Sequence, residues 1–172
     1  MPAEPTSVGL DVGTTGVKAL AVSEEGVVLA RAERGYPLST PREGWSEQDP
    51  ELWWQAAAAA LAEVGAGREV VGIGLSGQMH GLVCLDRKGV VLRPAILWND
   101  QRTAAECAEI ERRLGLERLV AATGNRALPG FTAPKLLWLA RHEPAVYARI
   151  AHVLLPKDYV RLRLTGVHAT DV

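Results

Sequence analysis

Three short stretches of this 172-residue chain hold side chains at spacings that could do chemistry. The first is VGLDVGTTGVK, residues 8–18, where Asp11 sits within an apolar run. Gly13 and Gly16 bracket Thr14 and Thr15, and Lys18 follows. Glycines let backbone approach a ligand closely, and the N–H groups of such a turn can form an anion-binding concavity. The hydroxyls and the ammonium add donors, and a single carboxylate suits a magnesium ion that keeps most of its waters. A phosphate with its metal ion needs such a set. It is not a Walker A loop, because Lys18 is followed by Ala19 rather than Ser or Thr. A plain hairpin with glycine in its turn is the alternative.

The second stretch, Gly77-Gln78-Met79-His80-Gly81, presents three large side chains between glycines after an apolar strand. Gln78 and His80 can both donate and accept hydrogen bonds, as a sugar requires, and Met79 offers a soft apolar surface for its carbon face. A buried histidine with a satisfied partner and a core methionine would explain the same residues. In the third, Trp98-Asn99-Asp100 closes another apolar strand. An indole can stack on a sugar while Asn99 and Asp100 bind hydroxyls, although Asp100 or Thr103 could simply cap the next helix.

These stretches need elements to position them. Ser7–Val12 and Val17–Val22 read as strands across the GTTG turn, with a third over Val27–Arg34 after Glu24-Glu25-Gly26. YPLSTPREGWSEQDPE reads as a loop whose end, Asp49-Pro50, supplies an N-cap and a first-turn proline. ELWWQAAAAALAEV then forms a helix stopping near Gly65 and Gly67. EVVGIGLSGQMHGLVCLD reads as a strand interrupted by the Gly77–Gly81 segment and then a return strand, and VVLRPAILWND forms another after Arg87-Lys88-Gly89. Helices are expected over RTAAECAEIERRLG, LERLVAATG, APKLLWLARHE (capped by Thr132), AVYARI and KDYVRLRLTG, with a short strand at HVLLP. Strands and helices alternate after the opening meander, so the fold class is α/β, a sheet covered by helices.

The length supports one domain with its own core. Nineteen basic against twenty acidic residues, with no basic block, make no electrostatic case for nucleic acid or an anionic membrane. No apolar run approaches the roughly 20 residues that span a bilayer, and MPAEPTS lacks the features of a signal peptide. Cys84 and Cys107 fit no metal or disulfide spacing, which points to a reducing, cytoplasmic compartment. Trp45, Trp53, Trp54 and Trp138 read as core or interface groups, and Lys157 and Asp158 as structural.

GLDVGTTGVK is similar to the first phosphate motif of the FGGY family of carbohydrate kinases, which share the actin-like, ribonuclease H-like fold. GWSEQDPELWW, GLSGQMHG, PAILWNDQRT, PGFTAPKLLW and LLPKDYVRLRLTG resemble, in that order, segments of the xylulokinases within that family. The resemblance implies that residues 1–172 are the N-terminal part of the first lobe. It implies ATP and Mg2+, and a ketose substrate, most directly D-xylulose taken to D-xylulose 5-phosphate. Asp11 would organise the metal ion, and Gly13, Thr14, Thr15 and Lys18 would bind the nucleotide phosphates. Met79 and His80 would contact the ketose, and the Trp98–Asp100 segment would line its cleft.

Glycerol kinases carry an Arg-Glu pair in place of Met79-His80, so QMHG is the stretch that separates substrates. The family's proton-accepting base is an aspartate in a GGGDNA-like segment; none occurs here, and Asp171 does not match it. The base and the second lobe are therefore expected beyond Val172. On that expectation the 172-residue chain alone is inactive, shows apolar surface on elements such as PKLLWLARHE, and self-associates through it. Another sugar or polyol kinase of the family, or a non-catalytic actin-like binding module, is the competing reading.

Overall fold

The computed structural model describes residues 5–170, so Asp171 lies outside the described residues. Strand β1 (Pro5–Val12) turns Thr6, Val8, Leu10 and Val12 inward and Ser7, Gly9 and Asp11 outward, the period of two that a half-buried strand requires. β2 (Gly16–Val22) buries Val17, Ala19 and Ala21 and pairs antiparallel with β1, placing Lys18 opposite Asp11. β3 (Val28–Gly35) extends the meander.

After a short β4 (Glu47–Gln48), α1 (Pro50–Gly65) begins where the sequence places it. The Asp49 carboxylate accepts the Glu51 N–H at 2.9 Å, and Pro50 occupies the first turn, where its missing N–H costs nothing. α1 buries Trp53, Ala56, Ala57, Ala60 and Val64 and packs on β1, β2 and β3, its alanines allowing close approach to the sheet. β5 (Glu69–Gly77) returns parallel to β1, giving a mixed sheet of order β3-β2-β1-β5. Its register sets Asp11 beside Ser76 and Val12 beside Gly77.

The remaining elements are β6 (Val83–Leu85), β7 (Ala95–Ile96), α2 (Ala104–Leu114), α3 (Leu116–Thr123), α4 (Thr132–His142), α5 (Pro144–Tyr147), β8 (His152–Leu154) and α6 (Pro156–Thr165). The chain forms two compact units. Met1–Leu38, Asp49–Gln78 and Pro156–Val172 make the first, with the four-stranded sheet, α1 and α6. Ser39–Gln48 and Met79–Leu155 make the second, where β4 pairs with β7 and β6 with β8 around Leu82, Cys84, Ile96, Trp138 and Leu139.

Several local expectations change: the loop expected over YPLSTPREGWSEQDPE contains β4, and the helix expected over AVYARI is confined to Pro144–Tyr147. VVLRPAILWND yields only the two-residue β7, since Pro94 lacks the N–H a ladder needs; Val91 makes an isolated bridge to Leu85. Thr132 is the first residue of α4 rather than its cap, with Phe131 at the cap position. The PKLLWLARHE helix does not expose its apolar face: Trp138 and Leu139 are buried within the second unit. Exposed apolar groups lie instead on the edge strand β5, at Val71 (61%) and Ile73 (45%). No helix among the described residues is long and apolar enough to cross a membrane.

The tightest approach between β1 and β5 yields a stability prediction. A Cβ at Gly77 would lie 2.6 Å from the Val12 carbonyl oxygen, a backbone atom held in the sheet. Gly77→Ala is expected to destabilise the protein by about 1–3 kcal/mol, as overpacking does. A urea denaturation midpoint equal to wild type would contradict this.

Candidate active site

Asp11 lies exposed near the end of β1, and the parallel register brings Ser76 beside it. Ser76 Oγ donates to Asp11 Oδ1 at 2.7 Å, while Oδ2 has no partner among the described residues. The following turn is closed by Gly13 N–H donating to the Gly16 carbonyl at 3.0 Å. Its carbonyls are held from two sides. Tyr36 gives its backbone N–H to Thr15 at 3.2 Å and its hydroxyl to Gly13. Gln78 gives its backbone N–H to Val12 at 3.0 Å and its Nε2 to Gly13 at 2.9 Å. Burial, with a further push from the Asp11 charge, raises the Tyr36 phenol well above its ordinary pKa, so it stays a donor.

Lys18 sits opposite Asp11 and pairs with Glu33 at 3.8 Å, both side chains about two-thirds exposed. Such a surface pair is weak and leaves the ammonium mobile. Asp11, Lys18 and Ser76 border an open depression of about 470 Å³ floored by Gly9 and Gly74. No cluster of three or more His, Cys, Asp or Glu occurs among the described residues. One carboxylate with a free oxygen still fits magnesium, which takes few protein ligands and completes its shell with waters and phosphate oxygens. Tyr36 and Ser76 went unseen in the sequence. Their roles arise from strand pairing, which no local motif reports.

Gln78 therefore spends its amide donor on the Gly13–Gly16 turn. Its Oε1 is buried with no hydrogen-bond partner. Met79 is more than half exposed, and the half-buried His80 ring lies tilted on Phe131 at 4.8 Å between centroids. His80 also walls a mainly apolar cavity of about 240 Å³ with Ile110, Leu119, Phe131 and Pro134. Trp98 is half exposed, and Asn99 Oδ1 is a second buried acceptor without a partner.

Asp100 departs from its expected place among the hydroxyl-binding groups. It is 0% exposed, and its carboxylate accepts from Ser46 N–H at 2.7 Å and from Arg102 N–H, Nε and Nη2 at 2.7–3.0 Å. Those bonds occupy both oxygens, so Asp100 shapes the loop instead. Arg102 in turn pairs with Glu47 at 2.8 Å and lies 3.7 Å from the Trp45 ring centroid and 4.9 Å from that of Trp138. Lys157 and Asp158 pair at 2.9 Å and are largely buried.

Lys135 is a further buried charge that the sequence did not single out. Burial lowers its pKa from 10.5 to about 8. Between those values the unfolded chain keeps a proton that the folded chain has released. Stability from this group thus rises with pH over that interval, and the penalty of the buried charge is fully present below it. The urea midpoint of wild type relative to Lys135→Met is expected to climb from about pH 7.5 to pH 10. Parallel pH trends in the two proteins would contradict the buried-charge account.

Comparison with known proteins supplies the family. The profile of the FGGY family of carbohydrate kinases, N-terminal domain, matches residues 6–172. A xylulose kinase of Klebsiella pneumoniae is 51% identical over 168 residues, covering 96% of this chain and 34% of that protein. One from Bacillus subtilis is 47% identical over 169 residues, covering 95% and 34%. The crystal structure of xylulose kinase from Rhodospirillum rubrum superposes with a TM-score of 0.93 at 39% identity, covering 96% of this chain and 35% of that one. The chain spans about a third of the length of the curated relatives it matches. The fold is the actin-like, ribonuclease H-like one, and this chain belongs to the FGGY family of carbohydrate kinases through its N-terminal domain.

Proposed function

We propose that the protein transfers a phosphoryl group from ATP to a ketose, and that the ketose is D-xylulose, giving D-xylulose 5-phosphate. The observation that carries this reading is the Met79-His80 pair in a chain 51% identical, over 96% of its length, to a xylulose kinase. Phosphoryl transfer depends on in-line positioning and charge neutralisation more than on covalent help from the protein. Magnesium, when bound, neutralises charge on the phosphates, and Asp11 Oδ2 is the oxygen that would hold it. Ser76 occupies the other oxygen and so fixes how the carboxylate is presented.

The N–H groups and hydroxyls of the Gly13–Thr15 turn would hold the terminal phosphate. Tyr36 and Gln78 keep that turn's carbonyl oxygens engaged and so withhold them from the anion. Lys18 adds mobile positive charge. In the second unit, Trp98 and Met79 offer surfaces for the carbon face of the sugar, and His80 its imidazole. Asn99 Oδ1 there is a buried acceptor, and a sugar hydroxyl is a donor that would satisfy it; Gln78 Oε1 is another such acceptor in the first unit. The saturated carboxylate of Asp100 is unsuited to accept the proton of the attacking hydroxyl, and that base is proposed to lie outside residues 5–170.

The two halves of the reaction separate kinetically in the protein expressed from its complete reading frame. Asp11→Ala is expected to lower kcat by about a hundredfold or more with the ketose KM within about twofold, because its work is on the phosphate side. His80→Ala is expected to raise the ketose KM by about ten- to a hundredfold with little change for ATP, since it unpairs a hydroxyl site. Equal loss of ketose affinity in Asp11→Ala, or unchanged ketose kinetics in His80→Ala, would contradict these roles.

A further inference from the structure

Lys135, in the first turn of α4, is 0% exposed, and no carboxylate pairs with it among the described residues. Its ammonium donates to the His80 carbonyl at 2.8 Å and to the Gly130 carbonyl. The Asp100 charge favours the ammonium from a distance, but burial outweighs it. Burying a cation with no carboxylate in contact is costly, and an apolar side chain of similar length would fill the space without that cost. What an apolar side chain could not do is draw carbonyl oxygens from two loops onto one point.

Both loops lead to residues proposed to meet the sugar. One is the His80 loop itself. In the other, Phe131 places its ring against the His80 imidazole, and Gly130 presses on Trp98: a Cβ there would lie 2.8 Å from the Trp98 carbonyl oxygen. The Thr132 hydroxyl stands 3.5 Å from the His80 and Gly81 carbonyls, too far to replace the ammonium. We infer that Lys135 is a positioning residue of the ketose site: by tying the His80 and Gly130 carbonyls together it sets the separation of the imidazole from the Trp98 segment, and hence the polyol the two accept. The inference rests on the sugar-kinase reading above. Lys135 itself meets no substrate, and its effect passes through the two carbonyls.

The test compares wild type, Lys135→Met and Gly130→Ala, each expressed from the complete reading frame and assayed with ATP and D-xylulose. Lys135→Met is expected to raise the ketose KM about tenfold or more while the ATP KM stays within about twofold, a split that a general loss of stability would not produce. Should Lys135→Met fail to fold, Gly130→Ala decides: it displaces the Trp98 backbone with the ammonium in place and is expected to raise the same KM. A ketose KM unchanged in whichever variant folds, or ketose and ATP parameters worsening together, overturns the inference. Absence of D-xylulose phosphorylation by wild type overturns the functional reading and this inference with it, so the two failures are read from different samples.

Discussion

The parallel register between β1 and β5 holds the Asp11 carboxylate and the Gly13–Gly16 turn in place. Residues 65 positions apart become neighbours through it: Ser76 reaches the Asp11 carboxylate, and Gln78 reaches the Gly13 carbonyl. The close approach of Gly77 to Val12 fixes that register at the strand ends, where any side chain would collide with backbone. A shift by one residue would send Asp11 and Ser76 to opposite faces of the sheet. The carboxylate would lose its orienting donor, and the turn would lose one of its two supports.

The second unit rests on a different physics. The Arg102 side chain is 1% exposed, so its surroundings must supply both counter-charge and surface for the guanidinium. Asp100 and Glu47 supply the charge, and Trp45 and Trp138 the ring faces. Removing one partner of such a pair typically costs about 3–5 kcal/mol, because the other charge is left buried alone. The network fixes the loop that leads from Trp98 into α2. The polar groups of Asp100 and Arg102 are consumed in that construction.

What could be read from the sequence follows the range of each interaction. Asp49 and Pro50 announce α1 because capping is local, and the meander was legible because its turns carry their own glycine signals. Asp11, Thr14, Thr15, Met79 and His80 stood out as motifs. Asp100 was legible as a residue but not in its role, since nothing local reveals that Arg102 and Ser46 N–H fill its oxygens. Tyr36, Ser76 and Lys135 were invisible for the same reason: each acts on backbone or side-chain groups brought close only by tertiary pairing. The strand expected over VVLRPAILWND shrank to two residues because a proline removes a ladder donor whatever the apolar pattern around it.

In the function proposed above, a carboxylate-and-turn set would handle phosphate and a histidine-tryptophan set would handle a polyol. The identity of the polyol decides whether that reading holds. The most direct measurement is the phosphorus NMR spectrum of a reaction containing ATP, magnesium, D-xylulose and the protein expressed from its complete reading frame. ADP is expected together with one new phosphomonoester, D-xylulose 5-phosphate, in equal amounts. ADP accumulating with inorganic phosphate alone, or a phosphomonoester formed from glycerol in preference to D-xylulose, would contradict it.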